Sequence, residues 1–251
     1  CGSGTFLLAF TRRAFDVCSG KIYPSDLAAR LARKLHGFDV DPLAILMARA
    51  QIYMQMMEAA GRSDIAEEAN LLWCDTLKLA SFLKRKSAPS LFTYMGLDEF
   101  SDLRPPIIEV RGDLERVMDI VSHRRFDVII GNPPWGMRSK IVRELRRLGV
   151  RETDEYLKRM VPVDEWREEF FSRGNQNLLV PFLYAFDELL RPGGIMAVLL
   201  DARFIAAKWG EPAIELLNEK YNVVRVLDIS SHSKFLAVSY PCVLLALKGG
   251  R

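Results

Sequence analysis

Short apolar runs alternate along the chain with segments whose apolar residues recur at helical spacing, and this alternation limits the folds open to it. The runs are Leu35 to Asp39, Ile107 to Val110, Phe126 to Gly131, Ile195 to Asp201 and Val223 to Ile229, with Cys242 to Lys248 closing the chain. Most are continuously apolar, as strands covered on both faces must be. Between them, a helical pattern opens at Ser25-Asp26-Leu27 and runs towards Lys34. A second spans Pro42 to Ala60 with Pro at its first turn, and a third spans Leu178 to Leu190 before Arg191-Pro192-Gly193-Gly194. Strand and helix in alternation give an α/β fold with a doubly wound, mostly parallel sheet. Such sheets bind ligands at the carboxyl ends of their strands.

The 251 residues suffice for one α/β domain, taken as 1–251, with 61–106 and 137–174 as excursions from the sheet. A composition 49% hydrophobic and 27% charged excludes a disordered or fibrous chain. No apolar stretch approaches the roughly 18 to 20 residues of a membrane span. Cys1 to Thr5 lack the charged leader of a secretory signal, so a cytoplasmic location without membrane contact is expected. Cys1, Cys18, Cys74 and Cys242 stand singly, with no C-x-x-C pair and only His36, His123 and His232 to join them. Neither a disulfide framework nor a metal site is expected. A net charge of +3 permits a polyanionic partner without requiring one.

Chemistry concentrates at a few places. Cys1-Gly2-Ser3-Gly4-Thr5-Phe6 is a small-residue loop entering a helix, where glycines let a ligand approach the backbone and the helix N-terminus attracts an anion. A plain Gly-rich turn fits these residues equally well. Gly37-Phe38-Asp39-Val40-Asp41-Pro42 sets Asp39 at the carboxyl end of a strand, where nucleotide-binding sheets hold ribose hydroxyls. Asp41, before Pro42, is an N-cap. In Phe126 to Trp135 a buried strand runs directly into Asn132-Pro133-Pro134-Trp135, whose two rings restrict the backbone and aim an amide and an aromatic face out of the sheet. A rigid proline turn over a packed Trp is the bland alternative, and the functional reading is preferred. Beyond it, Arg143, Arg146 and Arg147 would cluster on a helix, either to meet phosphates or as a solvated face.

Together these motifs resemble the adenine-N6 DNA methyltransferases of restriction-modification systems, and the resemblance covers nearly the whole chain. Cys1 to Leu7 is similar to the tail of that family's cofactor loop, and Asn132-Pro133-Pro134-Trp135 to its catalytic tetrapeptide. Gly112-Asp113-Leu114 resembles the motif whose acid contacts the cofactor adenine. Asn175-Gln176-Asn177-Leu178 and the Arg191 to Gly194 turn resemble later family elements. Phe235, ahead of the last strand, resembles the aromatic that packs on the flipped base, although a core Phe fits there nearly as well. The resemblance implies a Rossmann-like class I methyltransferase fold whose last strand is antiparallel, and S-adenosylmethionine as cofactor. Cys1, Gly2, Ser3, Gly4 and Thr5 would hold its methionine part, Asp39 its ribose and Asp113 its adenine.

The motif order resembles that of Type I and Type IIG enzymes, with no target-recognition domain in the chain. Double-stranded DNA is the implied partner, with a specificity domain or subunit and a nuclease outside this chain as further ones. In the family a central strand and a further Asp or Asn, Pro and Ala precede the Cys, so the chain is expected to lack its first central strand and to be weakly stable alone. The resemblance makes Asn132 and Pro133 the acceptors of the adenine amino hydrogens, with Trp135 and Phe235 stacking on the base. Two other readings stay open: methylation of an RNA base or protein glutamine, and a non-catalytic cofactor- or DNA-binding remnant.

Overall fold

The structure is a computed structural model, and it describes residues 1–61, 69–86, 125–135, 138–147, 177–232 and 240–249, with 161, 163, 165, 166 and 168. The chain divides into two compact units, one built on Cys1–Thr76, the other on the described residues from Leu77 onward.

In the first unit, α1 (Thr5–Cys18), α2 (Pro24–Lys34) and α3 (Pro42–Ala60) accompany two parallel strands, β1 (His36–Asp39) and β2 (Asn70–Trp73). The bounds of α3 come from its sequence. Asp41 Oδ1 accepts from the N–H of Leu43 at 2.9 Å, Pro42 supplies the preset φ of a first helical residue, and Gly61 ends the helix at φ 62°. Ile45, Ala48, Ile52 and Met56 lie on one stripe of α3 and are buried with Leu27, Leu31 and Leu71. Full burial of a side chain such as Ile52 stabilises by about 1.5–3 kcal/mol.

The second strand, β2, falls inside the stretch 61–106 that was expected to be an excursion from the sheet. It pairs His36 with Asn70 through to Asp39 with Trp73. Four residues that include Leu71 and Leu72, both fully buried, are too few to show a strand period, which is why the pattern hides it. The helix α4 (Thr76–Lys86) lies in the same stretch.

The second unit carries a four-stranded sheet ordered β3-β4-β6-β5, with β3 (Phe126–Gly131), β4 (Leu190–Asp201), β5 (Tyr221–Asp228) and β6 (Pro241–Lys248). β3 and β4 are parallel, and β6 runs antiparallel to both of its neighbours, so β3, β4 and β5 share one direction. Also in this unit are α5 (Arg138–Arg147), α6 (Leu179–Leu189) and α7 (Glu211–Lys220). Leu179, Leu183 and Phe186 of α6 and Ala213 and Leu216 of α7 bury against Val198, Leu244 and Ala246 of the sheet. At the two edges of this four-stranded sheet β3 leaves Val128 exposed and β5 leaves Val224 and Leu227 exposed, so neither is the strand covered on both faces that its apolar run suggests.

Two details depart from the sequence pattern. Arg191-Pro192-Gly193-Gly194, expected as a turn ahead of the strand, lies within β4 as a bulge between the pairs Phe126–Leu190 and Val128–Ile195. Gly193 at φ 72° lets the extra residues loop out, and Arg191 Nε is tied to Asp127 Oδ1 at 2.5 Å. Asp187, on α6, is a buried carboxylate within an otherwise apolar packing face. It accepts from Lys220 Nζ at 2.8 Å and the Tyr221 hydroxyl at 2.9 Å, and Lys248 Nζ lies 3.0 Å from it, so one charge ties α6, α7, β5 and β6 together. Ile107 to Val110 lies outside the described residues. Among the described residues, no helix is long and apolar enough to cross a membrane.

Candidate active site

In the first unit the loop Cys1 to Gly4 runs over the carboxyl end of β1. Gly2 and Gly4 have φ of 55° and 87°, a region that L side chains rarely enter. Gly37 of β1 lies beneath: a Cβ there would meet Leu71 Cδ2 at 2.8 Å and Cys1 Sγ at 3.2 Å, so a side chain at this position would crowd those of Leu71 and Cys1. A Cβ on Gly2 would meet nothing within 4 Å, which leaves that side of the loop open to a ligand.

Asp39 organises the loop. Its Oδ2 accepts from the Gly2 N–H at 2.7 Å and the Cys1 nitrogen at 3.0 Å, while Oδ1 accepts from the Asp41 N–H at 2.9 Å. Burial raises its pKa, whereas the hydrogen bonds it accepts from the Asp41 N–H and the Gly2 N–H lower it. Thus Asp39 joins the loop before α1 to the start of α3. The N-terminus of α1 has no side-chain cap, so its first amides remain available to an anionic group. Open glycines, uncapped amides and a carboxylate at the end of β1 fit the methionine carboxylate and ribose of S-adenosylmethionine in kind. Ser3 and Thr5 complete the segment.

In the second unit Gly131 ends β3 in register with Val198 of β4, and Asn132, exposed, is the first residue past the strand. Pro133 is buried, Pro134 exposed and Trp135 half-buried. The Trp135 indole Nε1 donates to the Leu199 carbonyl at 3.1 Å. The two prolines stop the strand and the indole fastens the chain beyond them to β4, so the backbone at Asn132 is held at the carboxyl edge of β3. Arg143, Arg146 and Arg147 are exposed on α5, whose helical spacing sets them on one side. Asp113 and Phe235 lie outside the described residues.

One pair at this edge is invisible in the sequence pattern. Asp201, 1% exposed at the end of β4, holds Arg203 two residues later. Nothing in an apolar strand running into Asp-Ala-Arg shows that the chain doubles back to pair them.

A family model places the chain among the methylases of restriction-modification systems. The Eco57I restriction-modification methylase family matches residues 33–235, and the chain belongs to that family. Among relatives, it is 26% identical over 139 residues to the adenine-specific methyltransferase PglX of Streptomyces coelicolor. That match takes in 54% of this chain and 12% of the relative. It is 24% identical over 143 residues to the Type II methyltransferase M.BanIII of Aneurinibacillus aneurinilyticus, taking in 57% of this chain and 22% of the relative. The chain thus spans less than a quarter of the length of either.

Solved structures share the fold. The DrdV–DNA complex matches 98% of this chain and 22% of its own, with a TM-score of 0.63 at 18% identity. The ATP-dependent Type ISP restriction-modification enzyme LlaBIII bound to DNA matches 98% and 16%, with a TM-score of 0.66 at 14% identity.

Proposed function

We propose that the protein transfers a methyl group from S-adenosylmethionine to the N6 amino group of adenine in double-stranded DNA, within a restriction-modification or related defence system. The observation that carries this reading is Asn132 at the carboxyl end of β3, on a strand end held by Pro133, Pro134 and the Trp135–Leu199 hydrogen bond. Membership of a methylase family supports it, as do relatives described as adenine-specific and Type II methyltransferases.

An exocyclic amino nitrogen on a purine is a poor nucleophile because its lone pair is delocalised into the ring. The side-chain oxygen of Asn132 and the carbonyl of Pro133 accept its two hydrogens, which favours a pyramidal nitrogen and stabilises the positive charge that develops there. When bound, S-adenosylmethionine supplies an electrophilic methyl on its sulfonium. The nitrogen held between Asn132 and Pro133 would take up that methyl, and its extra proton would then pass to water. No strong base is required, in keeping with a site of amide and carbonyl acceptors.

A duplex adenine reaches such a site only by rotating out of the stack, at a cost of a few kcal/mol. Stacking on Trp135 returns about 1–3 kcal/mol of it. Phe235 is the second aromatic of this proposal, and Arg143, Arg146 and Arg147 are contacts for the DNA backbone. Asp39 and the Cys1 to Thr5 loop hold the donor, with Asp113 on its adenine. Digestion of unmethylated DNA after incubation with protein and S-adenosylmethionine tests the reading: N6-methyladenine is the expected new nucleoside. Unchanged DNA beside methylated RNA or methylated glutamine would assign another substrate.

A further inference from the structure

Past β4 the chain turns through a 3-10 segment, Ala202–Ile205, built around one buried charge. Asp201 Oδ1 accepts from the backbone N–H of Arg203 at 3.1 Å, which closes the turn. The same carboxylate accepts from Arg203 Nε at 2.9 Å and 3.0 Å and from one of its terminal nitrogens. Closing the turn needs only an acceptor, which Asn or Ser supplies as well as Asp. A carboxylate that also grips its own Arg does something further: it holds the guanidinium in one plane and one direction.

That guanidinium is not consumed by the pairing. The Arg203 side chain is 49% exposed against 1% for Asp201, and its second terminal nitrogen has no partner among the described residues. The surroundings suit a nucleic-acid strand. The Ala202 N–H donates to the Tyr240 carbonyl at 2.8 Å, which places Tyr240, exposed, beside the turn and its phenol within electrostatic reach of the guanidinium. Ile205 and Lys208 are on the same stretch, with Ile205 exposed, and Ala202 to Gly210 contains no acidic residue. Asp228, across the sheet at this edge, is engaged by the Ser230 N–H at 2.8 Å.

Position decides what the group serves. Gly131 pairs with Val198, so Asp201 lies two residues beyond the level of Asn132 on the adjacent strand, about 7 Å further along the same carboxyl edge. We propose that Arg203, held by Asp201, is a fixed contact for a DNA phosphate next to the adenine that enters the site, with Tyr240 and Ile205 against the neighbouring sugar. The inference rests on the DNA reading given above. A pre-oriented guanidinium loses little freedom on meeting a phosphate, so it fixes the strand beside the target nucleotide.

The test measures binding of the full natural protein to fluorescent unmethylated duplex DNA between about 50 and about 200 mM salt. It compares the wild type with Arg203→Ala, Arg203→Lys and the double variant Asp201→Asn with Arg203→Gln. The double variant keeps the cap of the turn, since Asn caps as well as Asp, and so separates loss of the phosphate contact from loss of the fold. Arg203→Ala and the double variant are expected to lower the slope of log affinity against log salt by about 0.9. Both should weaken binding by about tenfold at low salt while leaving S-adenosylmethionine affinity unchanged. Arg203→Lys keeps the slope. An unchanged slope in both neutral variants, with wild-type DNA binding intact, overturns the proposal alone. A wild type that binds no DNA overturns the DNA reading and this proposal with it.

Discussion

The indole nitrogen of Trp135 donates to the carbonyl of Leu199 at 3.1 Å, which fastens the residue after the two prolines to the neighbouring strand. A ring fixed in this way is a platform rather than a side chain free to swing, because prolines at 133 and 134 on one side and β4 on the other leave its backbone little choice. Rigid placement matters for a stacking group, since ordering it at the moment of binding would offset part of the stacking free energy.

Trp135→Phe keeps an aromatic face and removes the tether, whereas Trp135→Ala removes both. The Ala variant should lose about 1–3 kcal/mol of target-DNA affinity, and Phe a smaller part of it. S-adenosylmethionine affinity should stay at the wild-type value in both. Titrations of DNA and of cofactor, run separately, check this; a Phe variant as weak as Ala would show that the Leu199 bond, not the ring face, is what matters.

Asp39 links three backbone nitrogens, so its charge supports both the loop and the start of α3. Its pKa is lower folded than unfolded. The stability it contributes is therefore complete above the ordinary value of 3.8 and is lost as pH falls through the folded-state value. Asp39→Asn keeps two acceptor lone pairs but cannot serve all three donors, and should weaken cofactor binding while removing this acid-side loss. Thermal melting of wild type and variant over an acid pH series reads it: curves that stay parallel throughout would mean that Asp39 contributes no such linkage.

Gly4→Ala tests the loop itself. At φ 87° a side chain costs roughly 1–2 kcal/mol, and the added Cβ would approach the Ala48 Cβ to 3.1 Å. Reduced S-adenosylmethionine affinity with unchanged DNA binding is expected. Gly2→Ala shares the strain without the contact, so comparing the two separates backbone from packing.

Much of this arrangement is legible in the residues alone. Asp41-Pro42 and Gly61 mark both ends of α3, and Phe126 to Gly131 is apolar enough to mark β3 up to its last residue. Local chemistry fixes these elements, so local pattern reveals them. By contrast β2 is four residues paired with β1 and buried with residues of α2 and α3, and the bulge in β4 depends on Gly193 adopting a positive φ opposite Asp127. The Asp201–Arg203 pair exists only once a 3-10 turn has folded it. The donors to Asp39 are equally hidden, since Gly2 and Asp39 are far apart in the chain and meet only when the loop crosses β1.

Asp187 is a buried carboxylate that ties elements of the second unit together. It is held ionised by Lys220 and Lys248 against the opposing effect of burial, while the Tyr221 hydroxyl is pushed up by its own burial and by the nearby charge. Acid removes the carboxylate's share as pH falls through its lowered pKa. Alkali removes the shares of Tyr221 and Lys220 as pH rises above their ordinary values of 10.0 and 10.5. Asp187→Ala strips a buried partner from two lysines and a tyrosine and should destabilise by about 3 kcal/mol. Chemical denaturation checks it, and a loss well below about 1 kcal/mol would show that water replaces the carboxylate.

The most direct measurement is transfer of labelled methyl from S-adenosylmethionine to unmethylated DNA, total RNA and mixed protein in parallel, with the natural full-length protein and its Asn132→Ala variant. Label on DNA adenine in the wild type, lost in the variant while cofactor affinity is retained, is the predicted result. Equal transfer by the variant would contradict the role of Asn132. Label confined to RNA or protein, or no label despite cofactor binding, would contradict DNA adenine as the acceptor.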